Sequence, residues 1–62
     1  MTKIDAAVEA IKAAGYDQMA KDFRKHPEYR ERIAKIVSRD VTQRLGHTLG
    51  SRLESALMEA AH

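Results

Sequence analysis

The side chains through which this 62-residue chain could do chemistry are three histidines, three serines, nine carboxylates and eleven lysines and arginines. His26, His47 and His62 stand 21 and 15 residues apart, too far for ligands on adjacent helical turns, so no metal centre is expected. Ser38, Ser51 and Ser55 have no histidine that the sequence places beside them as a base. Asp17 with Asp22, or Glu28 with Glu31, could be drawn as acid–base pairs, but basic residues at helical spacing account for each more simply. Gly46-x-x-x-Gly50 lacks the Lys and Ser/Thr that follow the glycines of a phosphate loop. So small a chain also leaves little room for a substrate pocket. The expectation is a protein with no catalytic residues, no cofactor, no metal and no small-molecule substrate.

The basic residues are the more concentrated chemical feature. Lys21, Arg24, Lys25 and His26 form a dense run that reads either as favourable charge at a helix C-terminus or as an anchor for phosphate or an acidic partner. Arg30, Arg32, Lys35 and Arg39 could extend it, and such a surface would bind with strong salt dependence and little sequence preference. A formal net charge of +2 permits nucleic acid without demanding it.

These residues need elements to position them. A chain of this length buries only about 60% of the surface its unfolded form exposes. With no cysteine and no metal site, association with another chain is the leading way to complete the core. No apolar run is long enough to span a membrane, and the Met-Thr-Lys-Ile start lacks the apolar segment of a secretory signal, so a cytoplasmic protein is expected.

No stretch alternates apolar with polar for long enough to form a strand, and the chain reads as one small all-α domain over residues 1–62. Helices are expected over residues 3–14, 18–25, 27–45 and 52–61. Thr2-Lys3-Ile4-Asp5 has the capping-box form, Ile4, Ala7, Val8, Ile11 and Ala14 follow at helical spacing, and Gly15 suits a left-handed C-terminal cap. Asp17 is placed to cap the second helix, which carries Met19, Ala20 and Phe23 inward and pairs Asp17 with Lys21. Pro27 closes it and opens the third, where Glu28 with Arg32 and Glu31 with Lys35 stand in the favourable order. Ser51-Arg-Leu-Glu54 repeats the capping-box form ahead of Leu53, Ala56, Leu57 and Ala60, so the last helix is expected to start there, after two glycines.

The third helix poses a register problem. Tyr29, Ile33, Ile36 and Val37 share one stripe, but the row Tyr29, Ile33, Val37, Val41, Leu45, Leu49, Leu53, Leu57 is spaced by four and rotates about 40° per step. Either the helix runs to about Leu45 and its drifting row crosses another helix obliquely, with Asp40 and Arg44 paired at the edge, or Ser38 caps a new helix after a turn near Val37. The first is favoured, with the break at Gly46 to Gly50. Were Gly46 to Gly50 helical instead, their spacing would make a flat groove for close approach of another helix. Under the second, Ile33 to Leu45 (IAKIVSRDVTQRL) resembles the core of a helix-turn-helix DNA reader, without the usual glycine at the turn. That resemblance implies that Arg39, Thr42, Gln43 and Arg44 face DNA.

The reading adopted is a non-enzymatic interaction or regulatory protein that binds another protein, as a homodimer through Val41, Leu45, Leu49, Leu53 and Leu57. A DNA-binding regulator is the alternative. Contacts to nucleic acid or an acidic partner would come from Lys21, Arg24, Lys25, Arg32, Lys35, Arg39, Gln43 and Arg44.

Overall fold

A computed structural model describes residues 2–62, and every regular element among them is helical: α1 Lys3–Ala13, α2 Asp17–Lys25, α3 Arg30–Leu45 and α4 His47–Ala61, with a 3-10 turn at Pro27–Tyr29. The Thr2 hydroxyl accepts from the Asp5 amide at 3.1 Å while the Asp5 carboxylate accepts from the Thr2 amide at 3.2 Å, so α1 begins on the expected capping box. It ends on a Schellman arrangement. Gly15 at φ +97° lets its own N–H reach Lys12 O and the Tyr16 N–H reach Ile11 O. Tyr16, not Asp17, is the N-cap of α2, and no side chain caps it. His26 turns to extended backbone before Pro27, as the proline ring requires.

Two arginines tie helix ends together. Arg30 donates to Phe23 O at 2.6 Å and Arg24 O at 3.0 Å, satisfying carbonyls at the end of α2, and its guanidinium lies 5.7 Å from the Phe23 ring centre. Arg44 donates to Ala14 O at 3.0 Å at the end of α1 and pairs with Asp40 at 3.2 Å. Both place a cation at the negative end of a helix. Arg24 reaches back to Asp5 at 2.6 Å and Lys3 to Glu59 at 2.7 Å, fastening α1 to α2 and to α4.

Phe23, Ile11, Leu57 and Val37 are the largest wholly buried side chains, joined by Ala7, Val8, Ala20, Ile33, Ala34, Val41 and Ala60. α3 therefore turns a different side inward from the one expected. Ala34, Ser38 and Val41 are buried beside Ile33 and Val37, whereas Tyr29 and Ile36 are exposed. The small residues explain this rotation. α3 packs most extensively on α4, and a Cβ at Gly50 would overlap Thr42 Oγ1 and lie 2.8 Å from Thr42 Cβ and 3.0 Å from its Cα. The two backbones approach too closely for Ile36 to stand between them.

α3 is continuous through Ser38, which is no cap: no glycine or proline interrupts residues 30–45, and nothing there breaks the hydrogen-bonded ladder. The break is a single residue, Gly46, at φ +102° and ψ 167°. α4 consequently begins at His47 rather than after Ser51, and the Ser51–Glu54 pattern lies inside it. Gly50 sits within α4 because its missing side chain admits α3, which outweighs its weak helix propensity.

Candidate functional site

Three surfaces hold the residues that sequence reasoning singled out. The first is the apolar row. Val41 and Leu57 belong to the chain's own core and are not available to a partner, while Leu53 is half-buried against it. Leu45, 63% exposed, and Leu49, 49% exposed, flank the Gly46 turn. The row thus leaves the core at Leu45, where Gly46 turns the chain, and re-enters it at Leu57 on the second of the two helices.

The second surface is the outer face of α3. Lys35, Arg39, Arg32 and Gln43 fall within about 80° of one another around the helix axis. All four are exposed, and the three cations have no ion partner among the described residues. The expected Glu28–Arg32 and Glu31–Lys35 pairs are not formed; Glu28 lies 3.6 Å from His26 and Glu31 lies 3.9 Å from His62. Lys35, Ser38, Arg39, Thr42 and Gln43 together with His47, Gly50, Ser51 and Glu54 of α4 line a groove of about 480 Å³. Ser38 has its Oγ buried with no hydrogen-bond partner. No side chain caps the first turn of α4, and no acidic residue stands in it.

The third surface is a groove between α1 and α2 of about 760 Å³, lined in part by Val8, Glu9, Lys12, Lys21, Asp22 and Lys25. Lys21 and Lys25 are exposed there, but Asp17 does not pair with Lys21; Asp22 instead accepts from Gln18 at 3.2 Å. Arg24 and Arg44, counted among the candidate contacts, are committed to Asp5 and to Asp40 with Ala14 O. The basic run of α2 is therefore divided between a fold contact and two free lysines.

Of the carboxylates that could be drawn as acid–base pairs, Asp17 has no ion partner among the described residues, Asp22 accepts from Gln18, and Glu28 and Glu31 stand beside His26 and His62. Arg24 and the Thr2 cap hold Asp5 down at about 2, and Lys3 lowers Glu59. The Tyr16 phenol is pushed up, first by the Asp40 carboxylate beside it and then by desolvation. Among the described residues, no three His, Cys, Asp or Glu side chains converge as a metal site, and no helix is long and apolar enough to cross a membrane.

Sequence reasoning missed Arg30, Tyr16 and Thr42 as organising residues. Only the Gly46–Gly50 spacing carried a signal for Thr42, since it marked where a helix could come close. What the fold and its surfaces define, over the described residues, is four α-helices with an apolar tip at the α3–α4 turn and a cationic face on α3. Compared with known proteins, the chain matches no family model, no curated protein and no solved structure.

Proposed function

We propose that this is a non-enzymatic interaction protein of the cytoplasm whose docking surface is the α3–α4 turn, and that its first partner is a second copy of itself. The observation that carries this reading is the pair of half-exposed or more exposed leucines, Leu45 and Leu49, on either side of Gly46. A two-fold arrangement would set these leucines of one copy against those of the other, with Leu53 at the edge.

Each leucine would bury roughly half to two thirds of its side chain, about 1–1.5 kcal/mol apiece, so four contribute about 4–6 kcal/mol. That sum is close to the lower estimates of the free energy lost on association, about 4 kcal/mol and upward, so the dimer is a weak one. A weak self-contact of this kind suits a regulatory protein that exchanges its own copy for another protein's helix at the same leucines.

NMR chemical shifts and translational diffusion from about 0.1 to 10 mM test the reading, because a net gain of at most about 2 kcal/mol corresponds to a dissociation constant of tens of millimolar. The wild-type chain should show a concentration-dependent dimer, and Leu45→Asp with Leu49→Asp should be monomeric with an unchanged melting curve at low concentration. A wild-type protein that stays monomeric over the whole range, or a dimer untouched by both changes, overturns it.

A further inference from the structure

We propose that the outer face of α3, with the groove it shares with α4, binds the phosphodiester backbone of duplex nucleic acid. This surface adjoins the leucine tip at the first turn of α4 but uses neither the Leu45 nor the Leu49 side chain, and the inference does not depend on self-association.

Three observations meet here. Arg32, Lys35 and Arg39 follow one another at spacings of 3 and 4 on an exposed helix face, and none is neutralised by an ion partner among the described residues. They span about 10 Å of helix, against one negative charge per roughly 1.7 Å of duplex axis, so all three can meet phosphates at once. Beside them α4 begins at His47 with neither a side-chain cap nor an acidic residue in its first turn, which leaves its amide hydrogens and positive dipole end to an anion. Third, the groove between these two features contains Ser38, a buried hydroxyl with no partner. An unsatisfied buried hydroxyl normally has a structural or ligand explanation, and the helix around Ser38 supplies none.

The chemistry favours a duplex over other polyanions. Single strands are held by stacking successive bases on aromatic side chains, and among the described residues this face carries no run of them, with Tyr29 at one end and the His47 imidazole at the other. The face is straight and helical, which suits regularly spaced phosphates. Glu54 on the groove's α4 wall opposes an anion locally, and this places the phosphates toward Arg39, Gln43 and His47 rather than deep beside Glu54. Gln43 adds a neutral donor at the end of the row. The mode is backbone recognition with little sequence preference.

The test is fluorescence anisotropy with a mixed-sequence DNA duplex of about two helical turns, at 50 and 200 mM salt, with polyglutamate as a competing acidic polymer. Three phosphate contacts predict a log–log salt slope of about −2.7, so affinity should fall about 40-fold between those two salts. Arg39→Ala should weaken binding alike for unrelated duplex sequences and reduce the slope by about one, as should Lys35→Ala. Lys21→Ala, on the α1–α2 side, should change neither, and circular dichroism should show all three variants folded. No binding at 50 mM salt overturns the proposal. So does equal loss from Lys21→Ala and Arg39→Ala, or polyglutamate displacing the duplex at equal charge concentration, which would assign the face to an acidic protein.

Discussion

Replacing Gly50 by alanine tests the packing on which the fold turns. In an exposed helix this change would stabilise the chain by about 1 kcal/mol, because alanine is the better helix former. Here the new methyl would overlap Thr42 Oγ1, with Thr42 Cβ at 2.8 Å and its backbone Cα at 3.0 Å. Rotating Thr42 does not help, since a β-branched side chain in a helix has few rotamers and the Cβ does not move with χ1. The helices must separate, and overpacking of this kind costs up to about 3 kcal/mol. The net loss is about 2 kcal/mol, a large part of the roughly 3–9 kcal/mol available to a chain of this size. Thermal unfolding followed by circular dichroism should show Tm lowered by about 8–16 °C. A double-mutant cycle isolates the contact. Thr42→Gly removes Oγ1 and Cβ together, so the two changes combined should be better than their sum by about 1–2 kcal/mol, and Thr42→Ala should rescue less. A Gly50→Ala protein that melts at or above the wild-type temperature would refute the close approach of α3 and α4.

Gly46 should respond for a different reason. Its φ of +102° and ψ of 167° lie in a region that residues with a side chain rarely enter, while no atom stands within 4 Å of where a Cβ would be. Gly46→Ala should therefore lose about 1–3 kcal/mol through backbone strain alone, and urea unfolding should show that Thr42→Gly gives no rescue; rescue would place the problem in packing instead. Acid should act through Asp5, whose pKa of about 2 lies below its ordinary value of 3.8. Because the folded value is the lower one, the contribution of the Thr2 cap and Arg24 is complete above about pH 4 and is lost as pH falls toward 2. The Tm difference between wild type and Asp5→Asn should be largest near neutral pH and shrink over that window, and a difference constant down to pH 2 would show that the carboxylate's charge is not what matters.

Where local chemistry decides the structure, the sequence was legible. The capping box at Thr2, the C-terminal glycine at Gly15 and the proline break at Pro27 depend on residues within a few positions of one another, and all three stand where their patterns put them. The inward side of α3 was not legible. Ile36 outranks Ala34 and Ser38 in hydrophobicity, so periodicity turned it inward, but the absence of a side chain at Gly50 makes the small face of α3 the better contact. The same contact hid the start of α4, because a capping pattern at Ser51 looked stronger than a glycine that was needed inside the helix. Of the proposed dimer row, Val41 and Leu57 could not be told from Leu45 and Leu49 by spacing alone. Which of them lie in the core depends on where Gly46 redirects the chain.

The arginines and lysines divide in a way that bears on function. Arg24, Arg30 and Arg44 each hold a carboxylate or a helix-end carbonyl, so removing any of them takes away a contact that the fold uses. Arg32, Lys35 and Arg39 have no ion partner among the described residues, and their mutual spacing of 3 and 4 residues sets like charges one turn apart, which destabilises a helix by about 0.2–0.5 kcal/mol per pair. The cationic face of α3 is thus a small burden on folding. Folding alone would be served as well by alanine or glutamate there, and a face of this kind is suited to meeting charge from outside the chain. The consequence is an opposition between two readouts of one variant: Arg39→Ala should leave the Tm unchanged or slightly raised while weakening duplex binding. A structural role for Arg39 would move both in the same direction.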